Sequence, residues 1–427
     1  MKNSNKTLVV IFSIVVNAAA AMPPLQTRAQ QQPSQQGSQE PPEPHLTITP
    51  DGGEPALADF GTLGQEIVQI VRQNFYDPKR ASEWAANHEN YAAGVADRAI
   101  FTARTNALLQ KLNTSHTGYY TPRDTTYFAL LAIFQRPLGI EAVWHDSIGA
   151  DFVRLPQGFF VRRVFAQSPA EKAGLLRGDN VLTADGGRFD PALAFQGKAG
   201  QDITLTIKRR QNEAAFAVRV TPRRVQPRAE WLEAQRASSR VIARNNEQIA
   251  YVSFFTGTGG EYQQAVQDAI ADKFQNAHAL VLDFRDGFGG ARPEFVNLFN
   301  PSVPLLTYRD RDGKRQVVGI RWHKPLYVLV NGGTRSGKEA VAFAIKKRHI
   351  GTLIGERTAG AVMAGRAFLL SDKSLLYLAV ADVLVDGERL EGRGVEPNVV
   401  VKDALPYAAG KDVQLEKALS LVAAGTR

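Results

Sequence analysis

The stretch VLVNGGTRSGKEAVAFAIKK, Val328 to Lys347, decides the fold. It reads as an apolar strand, a tight glycine turn and an amphipathic helix, with Ser336 at the turn-to-helix junction. Serine is favoured as a helix N-cap, so the residues alone leave open whether Ser336 caps the helix or presents its hydroxyl for chemistry. A serine hydroxyl attacks only when a neighbouring base takes its proton. The nearby bases fit poorly: Lys338 lies two residues on and would point elsewhere on a helix, and Lys346 and Lys347 lie about three turns away.

Outward from this stretch, strands and helices alternate. After about Arg228 come IAYVSF, a helix over about Glu261 to Phe274, ALVLDFR, a helix after GG, a hairpin around RDRDGKR, LYVLVN, GTLIGER and LLYLAVADVLVDG. Such alternation predicts an α/β layer domain, and strands apolar throughout predict a sheet covered on both faces. Upstream, LGQEIVQIVRQNFYDP reads as a helix that Pro78 ends, and YAAGVADRAIFTARTNALLQKL as a second that stops at the polar segment NTSHTGYYTP. Between these regions lie short alternating strands around one short helix.

There the segment SPAEKAGLLRGDNVLTADG, Ser168 to Gly186, resembles the helix-turn-strand signature of a PDZ domain, and PLGI, Pro137 to Ile140, resembles its carboxylate-binding loop. The resemblance implies that Leu138, Gly139 and Ile140 offer backbone N–H groups to a peptide C-terminus while the peptide pairs with a sheet edge. The segment from Ile249 to Val401 resembles the core of the C-terminal processing (tail-specific) proteases. LVLDFRDGFGG looks like their strand and glycine turn, VNGGTRSGKE like their nucleophile turn, and LEGRGVEPNVVV like their closing segment. That family implies an α/β fold, a crotonase- or ClpP-like superhelix, with a helical N-terminal unit and an inserted PDZ-like domain.

By that resemblance Ser336 is the nucleophile, and Gly337 and Gly289 are the oxyanion donors. Many members carry a lysine base in GKG shortly after GE, but here GERTAGAVMAG places Ala361 at that position. The tricorn-like branch uses a histidine inside TSH instead, and LNTSHTGYY supplies His116. The resemblance then makes Ser115 and Glu391 the groups that orient and polarise it. A histidine base predicts activity rising through an apparent pKa of roughly 6 to 7.5. Without the resemblance, His116 reads equally as a hydrogen-bonded helix cap and Glu391 as a surface turn residue.

The chain has 427 residues, 44% hydrophobic and 22% charged, which fits a globular protein of two or three domains. Its net charge of +9 comes from scattered Lys and Arg without interleaved aromatics, so nucleic acid is not an expected partner. With no cysteine there is no disulfide or thiolate ligand, and no histidine pair has zinc-motif spacing; no metal or cofactor is expected. Lys2 and Lys6, the run TLVVIFSIVV and then NAAAAM form a secretory-signal pattern too short to span a bilayer, implying export to a periplasmic or extracellular space.

The expected organisation is a signal peptide over 1–29, a Gln/Pro-rich tether over 30–56 and a helical unit over 57–129. A PDZ-like domain over 130–226 and a protease core over 227–427 follow. The expected function is an exported serine endopeptidase that binds polypeptides with a free C-terminus. A catalytically inactive binding protein on the same fold is the alternative.

Overall fold

The computed structural model describes residues 46–51, 59–304 and 306–425, so the expected signal peptide and most of the expected tether lie outside the described residues. The central sheet has six strands in chain order: Arg240–Arg244, Glu247–Ser253, Ala279–Asp283, Leu326–Val330, Thr352–Gly355 and Val399–Val400. The first pair is antiparallel and the others are parallel.

Alternate residues of the inner strands serve two cores. Ala250, Val252, Leu280, Leu282, Val328 and Val330 pack beneath the helices Gly260–Ala271 and Gly337–Lys347. On the other face Ile249, Tyr251, Val281, Leu329 and Ile354 pack against Ala418, Leu419 and Val422 of the helix Val413–Gly425. The expectation of a sheet covered on both faces holds, because period-2 alternation sends neighbouring apolar residues to opposite layers.

Parallel order places the ends of Glu247–Ser253, Ala279–Asp283 and Leu326–Val330 side by side. Their exit loops therefore meet at one end of the sheet, where open α/β sheets form their sites.

The PDZ-like sheet runs Phe216–Val220, Ile203–Lys208, Asn180–Ala184, Gly158–Val164, Ala150–Leu155, which leaves Ala150–Leu155 as an edge. Its core holds Val161, Leu175, Val181, Leu205 and Ile207.

Three sequence expectations change. Pro78 does not merely end the helix Phe60–Asn74; it opens another, Pro78–Asn87, where its missing N–H costs nothing. Leu46–Ile48, placed in the tether by composition, is a strand paired with Ile140–Val143, and Ile48 is buried. The helical unit has no separate core. Phe60, Ile67, Trp84 and Phe101 share one cluster with Met363, Leu376 and Leu378 from far along the chain. The strand Gly118–Tyr120, just after the TSH segment, pairs with Leu375–Ala381.

Candidate active site

Ser336 sits on a strand-turn-helix elbow between Leu326–Val330 and Gly337–Lys347. Its backbone, φ 56° and ψ −131°, lies in a region that costs a non-glycine residue of the order of 1–3 kcal/mol. Surrounding bonds hold it there. The Ser336 N–H donates to the Ala361 carbonyl at 2.8 Å and to the Glu339 carboxylate at 3.2 Å. Glu339 also accepts from Thr358 Oγ1 (2.5 Å), Gly360 N (2.7 Å) and Ala361 N (2.8 Å). One buried carboxylate thus fixes the Ser336 turn and the 358–361 loop together, although burial raises its pKa from the ordinary carboxylate value. The S-x-x-E spacing at a helix start was the sequence signal for this role, which sequence reasoning did not assign.

The loop after Ala279–Asp283 packs against the elbow. Asn331 Oδ1 accepts from Asp286 N and Gly333 N, both at 3.0 Å, and Thr334 Oγ1 donates to the Phe284 carbonyl at 3.0 Å. Gly289 lies so close that a Cβ there would stand 2.3 Å from Ser336 Cβ. A Cβ on Gly337 would stand 2.2 Å from the Ala291 carbonyl oxygen, so neither glycine can carry a side chain without movement. The Gly289 carbonyl accepts from Gly257 N (2.9 Å) and Thr256 Oγ1 (3.1 Å), which sets the orientation of its peptide. Gly337 is the first residue of its helix, where N–H groups have no partner inside the helix. Neither the Gly289 nor the Gly337 N–H finds an acceptor among the described residues.

Beside the 361–363 segment, Glu391 accepts from Ser115 N (2.8 Å) and Ser115 Oγ (2.9 Å), and from Val362 N (2.8 Å) and Met363 N (3.2 Å). Ser115 Oγ lies 2.8 Å from His116 Nδ1. Because the Ser115 proton goes to the carboxylate, the hydroxyl can only accept from Nδ1–H, which leaves Nε2 unprotonated. The His116 ring packs against Tyr377 at 5.4 Å between centroids. Burial lowers its pKa to about 4; Glu391 pulls it up and Arg335 pushes it down. The imidazole is therefore neutral above about 4, below the ordinary histidine value.

The two halves meet across one peptide segment. Ala361, at the position of the family's lysine, accepts from Ser336, and the next residue, Val362, donates to Glu391.

Lys338 points away from the cleft, as the helix period requires, into the floor beneath the elbow. It is fully buried, and its Nζ donates to the carbonyls of Phe255 (3.1 Å) and Asp286.

The expected carboxylate loop is not available. Leu138, Gly139 and Ile140 follow the helix Thr125–Ile133, and their N–H groups donate to the carbonyls of Phe134, Arg136 and Gln135 at 3.0, 3.1 and 2.9 Å. Ile140 also begins a strand paired with Leu46–Ile48, outside the PDZ-like sheet. A cavity of about 280 Å³ does lie beside the edge strand, lined by Ile148, Phe152, Phe195 and Trp231, and extending to Phe288 and Arg335.

The fold and site define an α/β core with a serine on a strained elbow, an apposed Ser-His-Glu arrangement and a PDZ-like domain. Residues 248–401 match Peptidase family S41, and residues 146–220 match the PDZ domain. The core of the chain, residues 248–401, is thus similar to peptidase family S41.

It is 24% identical over 293 residues to the carboxy-terminal processing protease CtpB of Bacillus subtilis, covering 65% of this chain and 59% of that one. It is 30% identical over 242 residues to the chloroplastic carboxyl-terminal-processing peptidase 2 of Arabidopsis thaliana, covering 53% and 46%. The matched part spans about three fifths of the length of the bacterial relatives. The crystal structure of the tricorn protease shares the fold, with a TM-score of 0.51 at 17% identity over 85% of this chain and 36% of that one.

Proposed function

We propose that the protein is an exported serine endopeptidase acting on polypeptides, with Ser336 as nucleophile, His116 as general base, Ser115 and Glu391 as the groups orienting it, and Gly337 and Gly289 as oxyanion donors. The observation that carries this reading is the hydrogen-bond path from His116 Nδ1 through Ser115 and Glu391 to Val362, beside the Ala361 carbonyl that holds Ser336.

In this scheme His116 Nε2 takes the hydroxyl proton as Ser336 Oγ attacks the scissile carbonyl. The oxyanion forms against the two glycine N–H groups, and the imidazolium returns its proton to the leaving amine. Water then hydrolyses the acyl-enzyme by the same steps. The depressed histidine pKa makes a weaker base but keeps it unprotonated over nearly the whole working range.

Polypeptide capture is assigned to the PDZ-like edge strand Ala150–Leu155, with its cavity leading toward Arg335, rather than to the Leu138–Ile140 turn. Main-chain pairing at such an edge gives affinity, and the adjoining pocket gives selectivity. Export rests on the N-terminal sequence pattern alone.

The test is labelling of the purified chain by a fluorophosphonate. Labelling of the wild type, its loss in a folded Ser336→Ala protein, and parallel loss of polypeptide cleavage are expected. An unlabelled, inactive wild type that still binds peptide would replace the reading with the binding-protein alternative.

A further inference from the structure

A lysine with no exposed surface and no carboxylate on its ammonium needs explanation, because burying an unpaired charge is costly. Lys338 has this character: both of its hydrogen-bond acceptors are backbone carbonyls, Phe255 at 3.1 Å and Asp286. These belong to the exit loops of two neighbouring strands, and the loops are already joined. Phe288 N donates to the same Phe255 carbonyl at 3.1 Å, and Gly257 N and Thr256 Oγ1 hold the Gly289 carbonyl. Lys338 itself directly follows Gly337 in the first turn of the helix. One ammonium therefore ties the Gly289 loop to the helix start that carries Gly337.

We propose that Lys338 is a positioning residue of the oxyanion hole, whose protonated ammonium fixes the Gly289 and Gly337 N–H groups relative to each other. The inference rests on the serine-peptidase reading above and adds a second titrating group to it. The charged ammonium binds both carbonyls by charge-assisted hydrogen bonds, roughly twice as strong as those the two N–H groups of a neutral amine would make.

The groups that face the ammonium are Arg163 from the PDZ-like strand Gly158–Val164, Asp286 and Asp283 from the neighbouring strand and loop, and Arg335 from the elbow. Burial foremost, then Arg163 and Arg335, lower its pKa to about 7, while Asp286 and Asp283 act the other way. The positioned state is then lost as pH rises through neutrality. With His116 neutral only above about 4, the pair gives a bell with its maximum on the acid side of 7.

The experiment measures kcat, KM and fluorophosphonate labelling against pH for the full chain and three variants. Lys338→Met should lower kcat and the labelling rate about 10- to 100-fold with little change in KM, since misplaced donors are felt in the transition state. Because that variant could unfold, Arg163 supplies a second test. Arg163→Gln removes a cation facing Lys338 and should move the alkaline limb to higher pH, whereas Arg163→Lys should leave it in place. Labelling of the wild type with no alkaline limb near 7, or a limb unmoved by Arg163→Gln, overturns the role of Lys338 and leaves the serine assignment intact. An unlabelled wild type overturns both.

Discussion

Two turns in this molecule look alike in sequence, each a glycine beside an apolar strand, and they do opposite things. At the elbow, Gly337 stands at the start of a helix, and the neighbouring Gly289 comes from a loop held through its carbonyl; neither N–H group has an acceptor among the described residues. In the Pro137–Ile140 turn the chain leaves the end of a helix, and its N–H groups fold back onto carbonyls of residues 134–136. A helix has orphan donors at its N-terminus and orphan acceptors at its C-terminus, so a turn after a helix consumes the amides that a turn before one releases. Of these two turns, only the elbow leaves amides without a carbonyl partner among the described residues.

The sharpest way to break this contrast is to block the elbow. Gly289→Ala would press a methyl carbon to 2.3 Å from Ser336 Cβ, so the loop or the serine must move. Loss of one oxyanion donor costs about 10²- to 10³-fold in kcat, and displacement of Ser336 adds to it. Cleavage within a few-fold of wild type by a folded Gly289→Ala protein would remove Gly289 from the site.

The next effect concerns the base. His116→Ala should lower turnover about 10²- to 10⁴-fold, with labelling of Ser336 falling in parallel. In the wild type the acid limb should lie near 4, with activity gained as pH rises through it, because the neutral imidazole is the working form. An acid limb near 6.5, the ordinary histidine value, would mean that the ring is solvated in the working enzyme and that Glu391 and Arg335 do not set its charge. Full activity in His116→Ala would send the search for the base elsewhere.

How far these features were legible in the sequence follows from the range of the interactions. The elbow was readable because strand, turn, serine and helix are contiguous, and local periodicity encodes them. The Ser115-His116-Glu391 set was readable only through resemblance, since Ser115 and Glu391 are 276 positions apart and no spacing rule links them. Lys338 was half legible: the helix period sends it away from the cleft, but nothing local reveals that it meets two loop carbonyls from distant strands. Glu339 had a local signal in its spacing from Ser336, yet its bonds to the 358–361 loop are tertiary. The Pro137–Ile140 turn failed for a related reason. Whether an amide is free depends on the helix that precedes it, and Thr125–Ile133 is apolar on all sides, with no periodic stripe to announce it.

The smallest expected effect comes from that turn and tests the other half of the contrast. Gly139 has φ 64°, so Gly139→Ala strains the backbone and should cost about 1 kcal/mol of stability. It should not change peptide affinity by more than about twofold if the turn's amides are closed on the chain, as each additional 1.4 kcal/mol of binding would be needed for a factor of ten. A change on the edge strand should behave in the reverse way. Phe152 lines the cavity beside that strand, and Phe152→Ala should weaken binding of an unstructured peptide while leaving the Pro137–Ile140 turn untouched. Isothermal titration with one peptide in free-acid and amidated forms reads both variants together. If Gly139→Ala abolishes the preference for the free acid and Phe152→Ala does not, the turn opens on binding, and its amides exchange helix carbonyls for the ligand's carboxylate. If the preference survives Gly139→Ala, the carboxylate is held elsewhere in the groove, and Arg335, exposed at its far end beside Ser336, is the cation to replace next.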